Sequence, residues 1–277
     1  MSAVPSLLMN NGTQIPQLGF GVFLIPPEET EKAVSEALSA GYRLIDTAQG
    51  YGNEEGVGAA ISSAGIQRDE LFITTKLTNS EHGYDKALRA FDESMNKLGL
   101  DVLDLFLIHW PLPMFDQYVE TWRAFERLLS DGRVLSIGVS NFEIEHLKRL
   151  LAETAVTPAV NQVELHPEFP QEELREFHAA HGILTESWGP LGQGKGLLEN
   201  PHILNVARRK ARTPGQVVLR WHIQLSNVVI PKSVNPDRIR ENIDVFDFEL
   251  DEADMQAIAQ VRTGRRLGAD PNDFDMR

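Results

Sequence analysis

The stretch PEETEKAVSEALSAGYRLID, Pro27 to Asp46, decides the fold because it sets a helical pattern directly against a strand-like one. Up to Gly41 it reads as a helix, whereas Leu44 and Ile45 form a short apolar run that ends abruptly in an aspartate. The alternation continues along the chain. The runs LFITTKL, VLDLFLIHW, VLSIGVSNF and NVVIPKS are apolar and rich in β-branched residues, and helical blocks separate them, as in parallel strands joined by crossover helices. The strand ends fall near Val22, Thr47, Lys76, His109, Ser140, Glu164, Trp188 and Pro231. Successive ends lie about 24 to 33 residues apart, with one gap of about 43, and each interval suits one βα unit. Eight such strands predict an α/β fold, a (β/α)8 TIM barrel, with residues 1–277 as a single domain. Before it, Asn10-Asn11-Gly12 stands between two apolar runs and predicts an N-terminal β-hairpin cap. A doubly wound sheet is the structural alternative, but GFGVFL, Gly19 to Leu24, lacks the third glycine of a dinucleotide-binding turn. After the last helical pattern, DEADMQAIAQVR, the tail GRRLGADPNDFDMR is polar and reads as a surface segment.

A chain of 277 residues can bury a large core. The net charge of -14 argues against a nucleic-acid partner, so any anionic ligand must be met by a local cluster of Lys and Arg. The absence of cysteine excludes disulfides, thiolate metal sites and a cysteine nucleophile. The N-terminus lacks the basic start and apolar core of a secretory signal, and no stretch approaches the roughly 18 apolar residues of a spanning helix. The expectation is a soluble cytoplasmic protein without a membrane partner.

In a barrel the carboxyl ends of the strands line one mouth, where active sites are built. Asp46, Lys76 and His109 end three consecutive predicted strands, and Tyr51 follows in the loop before a helix that starts at GNEEG, with Asn53 as its cap. Alone, each has an ordinary reading: a lone histidine after a strand is more often a core or edge residue, and a lone buried aspartate is more often a cap or ion-pair member. Together their chemistry is complementary. A tyrosine, with a pKa of about 10 in water, becomes a better acid beside an ammonium such as Lys76, and Asp46 can hold that ammonium ionised. His109 can orient a carbonyl oxygen. The set suits protonation of the oxyanion that forms when a ketone or aldehyde is reduced, although no side chain supplies the hydride.

LIDTAQGYGNEEGVGAAI, ITTKL, DLFLIHWP, SIGVSNF, AVNQVELHP and IPKSVNPDRIREN, taken in order, resemble the motifs of the aldo-keto reductases, over about residues 10 to 265. YGNEEGVGAAI, ESWGPLGQGK and ENIDVFDFEL resemble in particular the bacterial 2,5-diketo-D-gluconate reductase group. The resemblance implies Tyr51 as general acid, with Lys76 and Asp46 tuning it, and His109 as the residue that orients substrate. It implies NADPH as cofactor, with no metal. It places Gly21, Val22 and Asp46 near the bound cofactor, Ser140, Asn141 and Gln162 at the carboxamide, and Trp188 stacked on the nicotinamide. Gly189, Leu191, Gln193 and Gly194, in a glycine-rich segment that alone would read as an ordinary loop, are expected to close over the pyrophosphate. Lys232, Ser233, Val234, Asn235 and Arg238 can gather on one phosphate at a helix start, which the resemblance assigns to the 2' position, with Asn242 at adenine. Phe23, Tyr51, His109 and Trp110 are implied as substrate contacts. Phe23 and Thr78 stand where many relatives carry Trp, which widens or re-polarises the substrate pocket.

The expected activity is NADPH-dependent reduction of small aldehydes, α-dicarbonyls or keto sugars by a monomer. Two alternatives stand beside it. One is a barrel hydrolase drawing on Asp46, Glu164, His109 and His166; the other is an NADPH-binding regulatory or structural protein with little turnover.

Overall fold

The structure, a computed structural model, describes residues 4–276, so Met1 to Ala3 and Arg277 of the expected unit lie outside the described residues. Strands β1 (Ser6–Leu8) and β2 (Gln14–Pro16) pair antiparallel across the Asn-Asn-Gly turn, where Gly12 takes a φ of 86° and Met9 N–H donates to Thr13 O at 2.9 Å. A φ in that range favours glycine, which fixes the hairpin position predicted from sequence.

The first barrel strand is β3 (Phe20–Gly21), followed by α1 (Pro27–Ala40). Proline opens this helix where its missing N–H is harmless, and Glu28 and Glu29 sit where the helix dipole favours negative charge. Gly41 ends it at φ 105°, with Gly41 N–H donating to Leu38 O and Tyr42 N–H to Ala37 O. The buried face of Ala33, Val34, Ala37 and Leu38 packs on the sheet. The pattern repeats through β4 (Leu44–Asp46), α2 (Glu54–Ser63), β5 (Phe72–Leu77), α3 (Tyr84–Leu98), β6 (Leu103–Ile108), α4 (Tyr118–Ser130) and β7 (Val134–Ser140). It continues with α5 (Ile144–Glu153), β8 (Val160–Glu164), α6 (Glu172–Ala180) and β9 (Leu184–Trp188). The long gap before the last strand holds two helices, α7 (Pro201–Lys210) and α8 (Pro214–Gln224), and β10 (Val228–Val229) is followed by α9 (Pro236–Ile243) and α10 (Glu252–Ala259).

Strands β3 to β10 form one parallel sheet in chain order. It closes on itself, because Gly19 N–H donates to Val229 O at 2.9 Å, Val229 N–H to Gln17 O at 3.0 Å and Gly21 N–H to Pro231 O at 3.1 Å. The structure is therefore the (β/α)8 barrel with its hairpin. Regular pairing at the seam is shorter than the runs GFGVFL and NVVIPKS suggested, since β3 and β10 have two residues each.

Side chains alternate between the faces of each strand, and this sorts the chemistry. Ile45, Ile73, Phe106, Ile108 and Val163 pack outward under the helices. Leu44, Phe72, Leu105, Leu107, Val160 and Val228 point inward and, with Met9 and Ile15 of the hairpin, fill the lower barrel. Further along the same inward faces, nearer the mouth, come Asp46, Lys76, Gln162 and Glu186. The barrel interior is thus apolar below and charged near its mouth. No helix among the described residues is long and apolar enough to cross a membrane.

Gly58 shows how closely the outer helices are set. A Cβ there would stand 2.6 Å from Leu98 O and 2.8 Å from Lys97 O, at the end of α3. Gly58→Val should lower stability by about 1–3 kcal/mol through overpacking, read as a fall in Tm on thermal unfolding. An unchanged Tm would show that α2 and α3 are not held this close.

Candidate active site

Lys76 is the centre of the mouth. Its side chain is fully buried, and its three ammonium protons find three acceptors: Asp46 Oδ1 at 2.6 Å, Thr47 O at 2.9 Å and Tyr51 Oη at 3.4 Å. Burial works against its charge, but Asp46, Tyr51 and Glu186 outweigh it and hold the Lys76 pKa above the ordinary lysine value. Asp46 is itself braced, because Gln162 Nε2 donates to its Oδ2 at 2.8 Å from across the barrel.

Tyr51 arrives on a single 3-10 turn, Gln49–Tyr51, ended by Gly52 at φ 68°. Gln49 anchors that turn: Thr78 N–H donates to its Oε1 at 3.3 Å, and its amide donates to Ala90 O at 3.4 Å. The Tyr51 ring meets Phe23 at 5.0 Å and His109 edge-on at 5.6 Å between centroids. Sequence reasoning expected Lys76 to make Tyr51 more acidic. Lys76 does act in that direction, but desolvation is the larger effect and the net pKa of Tyr51 is raised. Burial, then the charges of Lys76 and His82, push His109 down to about 3, so its imidazole is neutral at physiological pH.

Asn53 stands at the start of α2, as expected, but its side chain caps nothing. It is buried, accepts from Thr47 Oγ1 at 2.9 Å and donates to Val22 O at 3.0 Å and Ile25 O at 3.1 Å. The side chain is used to fasten the loop after β3, which carries Phe23, to the loop that carries Tyr51.

The predicted carboxamide residues form one network. Asn141, at φ 63°, donates to His109 O at 2.9 Å and to Ser140 Oγ at 3.1 Å, and accepts from Trp188 Nε1 at 2.8 Å. Ser140 Oγ donates to Gln162 O at 2.9 Å. Gly21 and Val22 lie at the end of β3, with Val22 N–H donating to Asp46 O. Gly189, Leu191, Gln193 and Gly194 form the loop after β9, and Gln193 folds back toward Gly189. Lys232, Ser233, Val234 and Asn235 follow β10, Arg238 lies in the first turn of α9, and Asn242 is buried in its last turn. Lys232 and Arg238 are exposed, and neither forms an ion pair among the described residues. The helix amides of Asp237 and Arg238 are already taken by Asn235 Oδ1, so an anion here would be held chiefly by side chains.

The tail is more than a surface segment. Glu164 Oε1 accepts from Leu267 N–H, and Oε2 from Gly268 N–H at 2.7 Å, while His166 Nε2 lies 3.1 Å from Oε1. Burial alone would raise the Glu164 pKa, but these hydrogen bonds prevail and hold it low. Further along, the ring of Phe274 packs 4.2 Å from that of Trp110, and Asn79 donates to Met276 O at 2.8 Å. The tail therefore crosses the mouth. Glu164 and His166 serve it, and Asp46 serves Lys76, so the four residues of the hydrolase alternative form no common set.

The model of the aldo/keto reductase family matches residues 17–263. The chain belongs to the aldo/keto reductase family. It is 56% identical to an aldo-keto reductase of Mycolicibacterium smegmatis, over 98% of both chains. It is 49% identical to the methylglyoxal reductase DkgA of Escherichia coli K12, over 96% of both. Its fold superposes with a TM-score of 0.94 on a Gox0644 mutant crystallised in complex with NADPH, at 53% identity over 99% of both chains.

Sequence reasoning missed Glu186, which lies inside the barrel of this reductase-family chain with no exposure. The signal was available, because an inward Trp188 requires an inward Glu186 two residues earlier.

Replacing Asp46 by Asn should destabilise the fold by about 3–5 kcal/mol, because Lys76 would remain buried without its counter-charge. Adding Lys76→Met should recover much of that loss in a urea titration. If the double variant were no more stable than Asp46→Asn, the ion pair would not be the dominant constraint.

Proposed function

We propose that this chain is an NADPH-dependent oxidoreductase that reduces aldehydes, α-dicarbonyls or keto sugars to alcohols, with Tyr51 as proton donor. The observation that carries this reading is that Lys76 donates to Tyr51 Oη while its other two protons are committed to Asp46 and Thr47 O. The phenol oxygen thereby accepts from lysine, and its own proton is free to point at a substrate oxygen. The protonation states divide the roles. Tyr51, with its pKa raised, carries a proton throughout the neutral range, whereas His109, at about 3, has none to give beyond its neutral N–H. Tyr51 is then the acid, and His109 orients the carbonyl by a hydrogen bond.

The residues present suit the proposed cofactor. In an acidic chain, Lys232 and Arg238 have no carboxylate partner among the described residues and stand beside Ser233 and a helix start, which fits a 2'-phosphate. Trp188 is fixed by its bond to Asn141 and offers a flat face, with Ser140, Asn141 and Gln162 at hand for the carboxamide. Gly21, Val22 and Asp46 border that side of the mouth, Gly189, Leu191, Gln193 and Gly194 would lie along the pyrophosphate, and Asn242 would meet adenine. When bound, the reduced nicotinamide supplies the hydride. Phe23 and Trp110 flank Tyr51 and His109 and would contact the substrate. The relationship to a methylglyoxal reductase favours small α-dicarbonyls.

Tyr51→Phe should reduce NADPH oxidation with methylglyoxal by about 10²–10⁴-fold while leaving NADPH binding, read by fluorescence, nearly unchanged. Turnover near the wild-type rate would refute Tyr51 as the acid. Neutralising Lys232 and Arg238 together should weaken NADPH about tenfold or more relative to NADH, since charge-assisted bonds to the phosphate are lost. Equal weakening of both cofactors would remove the 2'-phosphate assignment.

A further inference from the structure

Glu186 is a buried carboxyl group for which the reaction so far has no use. It sits mid-strand in β9, paired in register with Gln162 of β8 and Val228 of β10. Its inward direction follows from its neighbours, since Thr185 points the other way and bonds His178 of α6 at 2.9 Å. Neither Glu186 oxygen completes a hydrogen bond among the described residues. The neighbouring donor, the Gln162 amide, gives one of its two protons to Asp46 Oδ2 at 2.8 Å. The charged groups that face Glu186 are Asp46 from β4 and Lys76 from β5, with Tyr51 above them. From β10 it meets the apolar Val228. A second buried carboxyl thus stands beside Gln162, the residue that braces Asp46, within electrostatic reach of the Lys76–Asp46 pair.

We propose that Glu186 is a positioning residue that sets the charge beneath the proton relay, acting on Tyr51 through Lys76 and Asp46. Protonated, it leaves Asp46 as the only anion opposing Lys76. Ionised, it adds a second negative charge under the lysine, and the phenol of Tyr51 then gives up its proton less readily. Burial, followed by the repulsion of Asp46, pushes Glu186 up to about 8, with the Gln162 amide and Lys76 offsetting part of the rise. The change of state therefore falls just above neutrality. The sign is fixed: carbonyl reduction is favoured with Glu186 neutral and declines as pH rises through its ionisation. The inference rests on the reductase reading for its effect on rate, but the ionisation of Glu186 is observable without turnover.

The test combines infrared spectroscopy with a pH profile. In the wild-type protein without cofactor, the C=O stretch of a protonated buried carboxylic acid should be present at about pH 6 and disappear with a midpoint near 8; it should be absent from Glu186→Gln. In Asp46→Asn the midpoint should fall by about one unit or more, as expected for removal of one neighbouring charge at an effective dielectric of about 20. With NADPH and methylglyoxal, wild-type kcat should decline above about pH 8, whereas in Glu186→Gln the decline should move up by about one unit or more. Wild-type protein with no such band at about pH 6 would overturn the proposal, as would pH profiles of wild type and Glu186→Gln that superimpose. Absence of turnover with every carbonyl would sink the reductase reading instead, and the infrared shift in Asp46→Asn would still decide whether Glu186 is coupled to the relay. If Asp46→Asn fails to fold, the wild-type band and the Glu186→Gln profile still decide it.

Discussion

The bond between Lys76 and Asp46, 2.6 Å long and sealed from solvent, constrains everything built around it. A charge taken out of water costs several kcal/mol unless its partners are close and correctly directed. Lys76 meets that demand with a carboxylate, a backbone carbonyl and a phenol, one for each proton. Asp46 in turn requires the amide of Gln162, so the requirement passes from β4 and β5 across the interior to β8. A small displacement of any of these strands would leave a buried charge unmatched. The cluster of Lys76, Asp46 and Tyr51 is therefore held by the same interactions that would be most damaging to lose.

The alternation of strand side chains makes such a site compatible with a stable barrel. In three of the inward rows an apolar residue nearer the hairpin is followed by a polar one nearer the mouth: Leu44 then Asp46, Val160 then Gln162, Leu184 then Glu186. The lower rows supply the dry packing, and the upper rows are allowed to be charged because they satisfy or modulate one another. Around the rim the backbone is tied by side chains outside the reaction. Asn53 joins two loops, Gln49 secures the tyrosine turn, and Glu164 with His166 holds the tail across the opening.

The barrel was legible because its signal is repeated: short apolar runs at a spacing of about thirty residues leave few other solutions. Asp46, Tyr51, Lys76 and His109 were legible because all four fall at the same end of consecutive units. Asn53 was misread since asparagine before a helix is so often a cap, and nothing local reveals that its side chain turns inward instead. The net acidity of Tyr51 depends on a competition between burial and charge that only the three-dimensional surroundings decide. The role of the tail was hidden for another reason. Its anchors are the backbone amides of Leu267 and Gly268, which carry no side-chain signature, and its composition is that of any surface segment.

The 116 residues that separate Asp46 from Gln162 have a kinetic consequence. Contacts so distant along the chain form only after much loop entropy has been lost, which places them late in assembly. A partly wound barrel with its first four units in place holds Asp46, Lys76 and Tyr51 but lacks the amide that braces the aspartate. Collapse and secondary structure can precede chemical competence. The Asp46–Gln162 bond is then a reporter of how far the sheet has curled, forming only when the sixth strand reaches the second across the centre of the molecule.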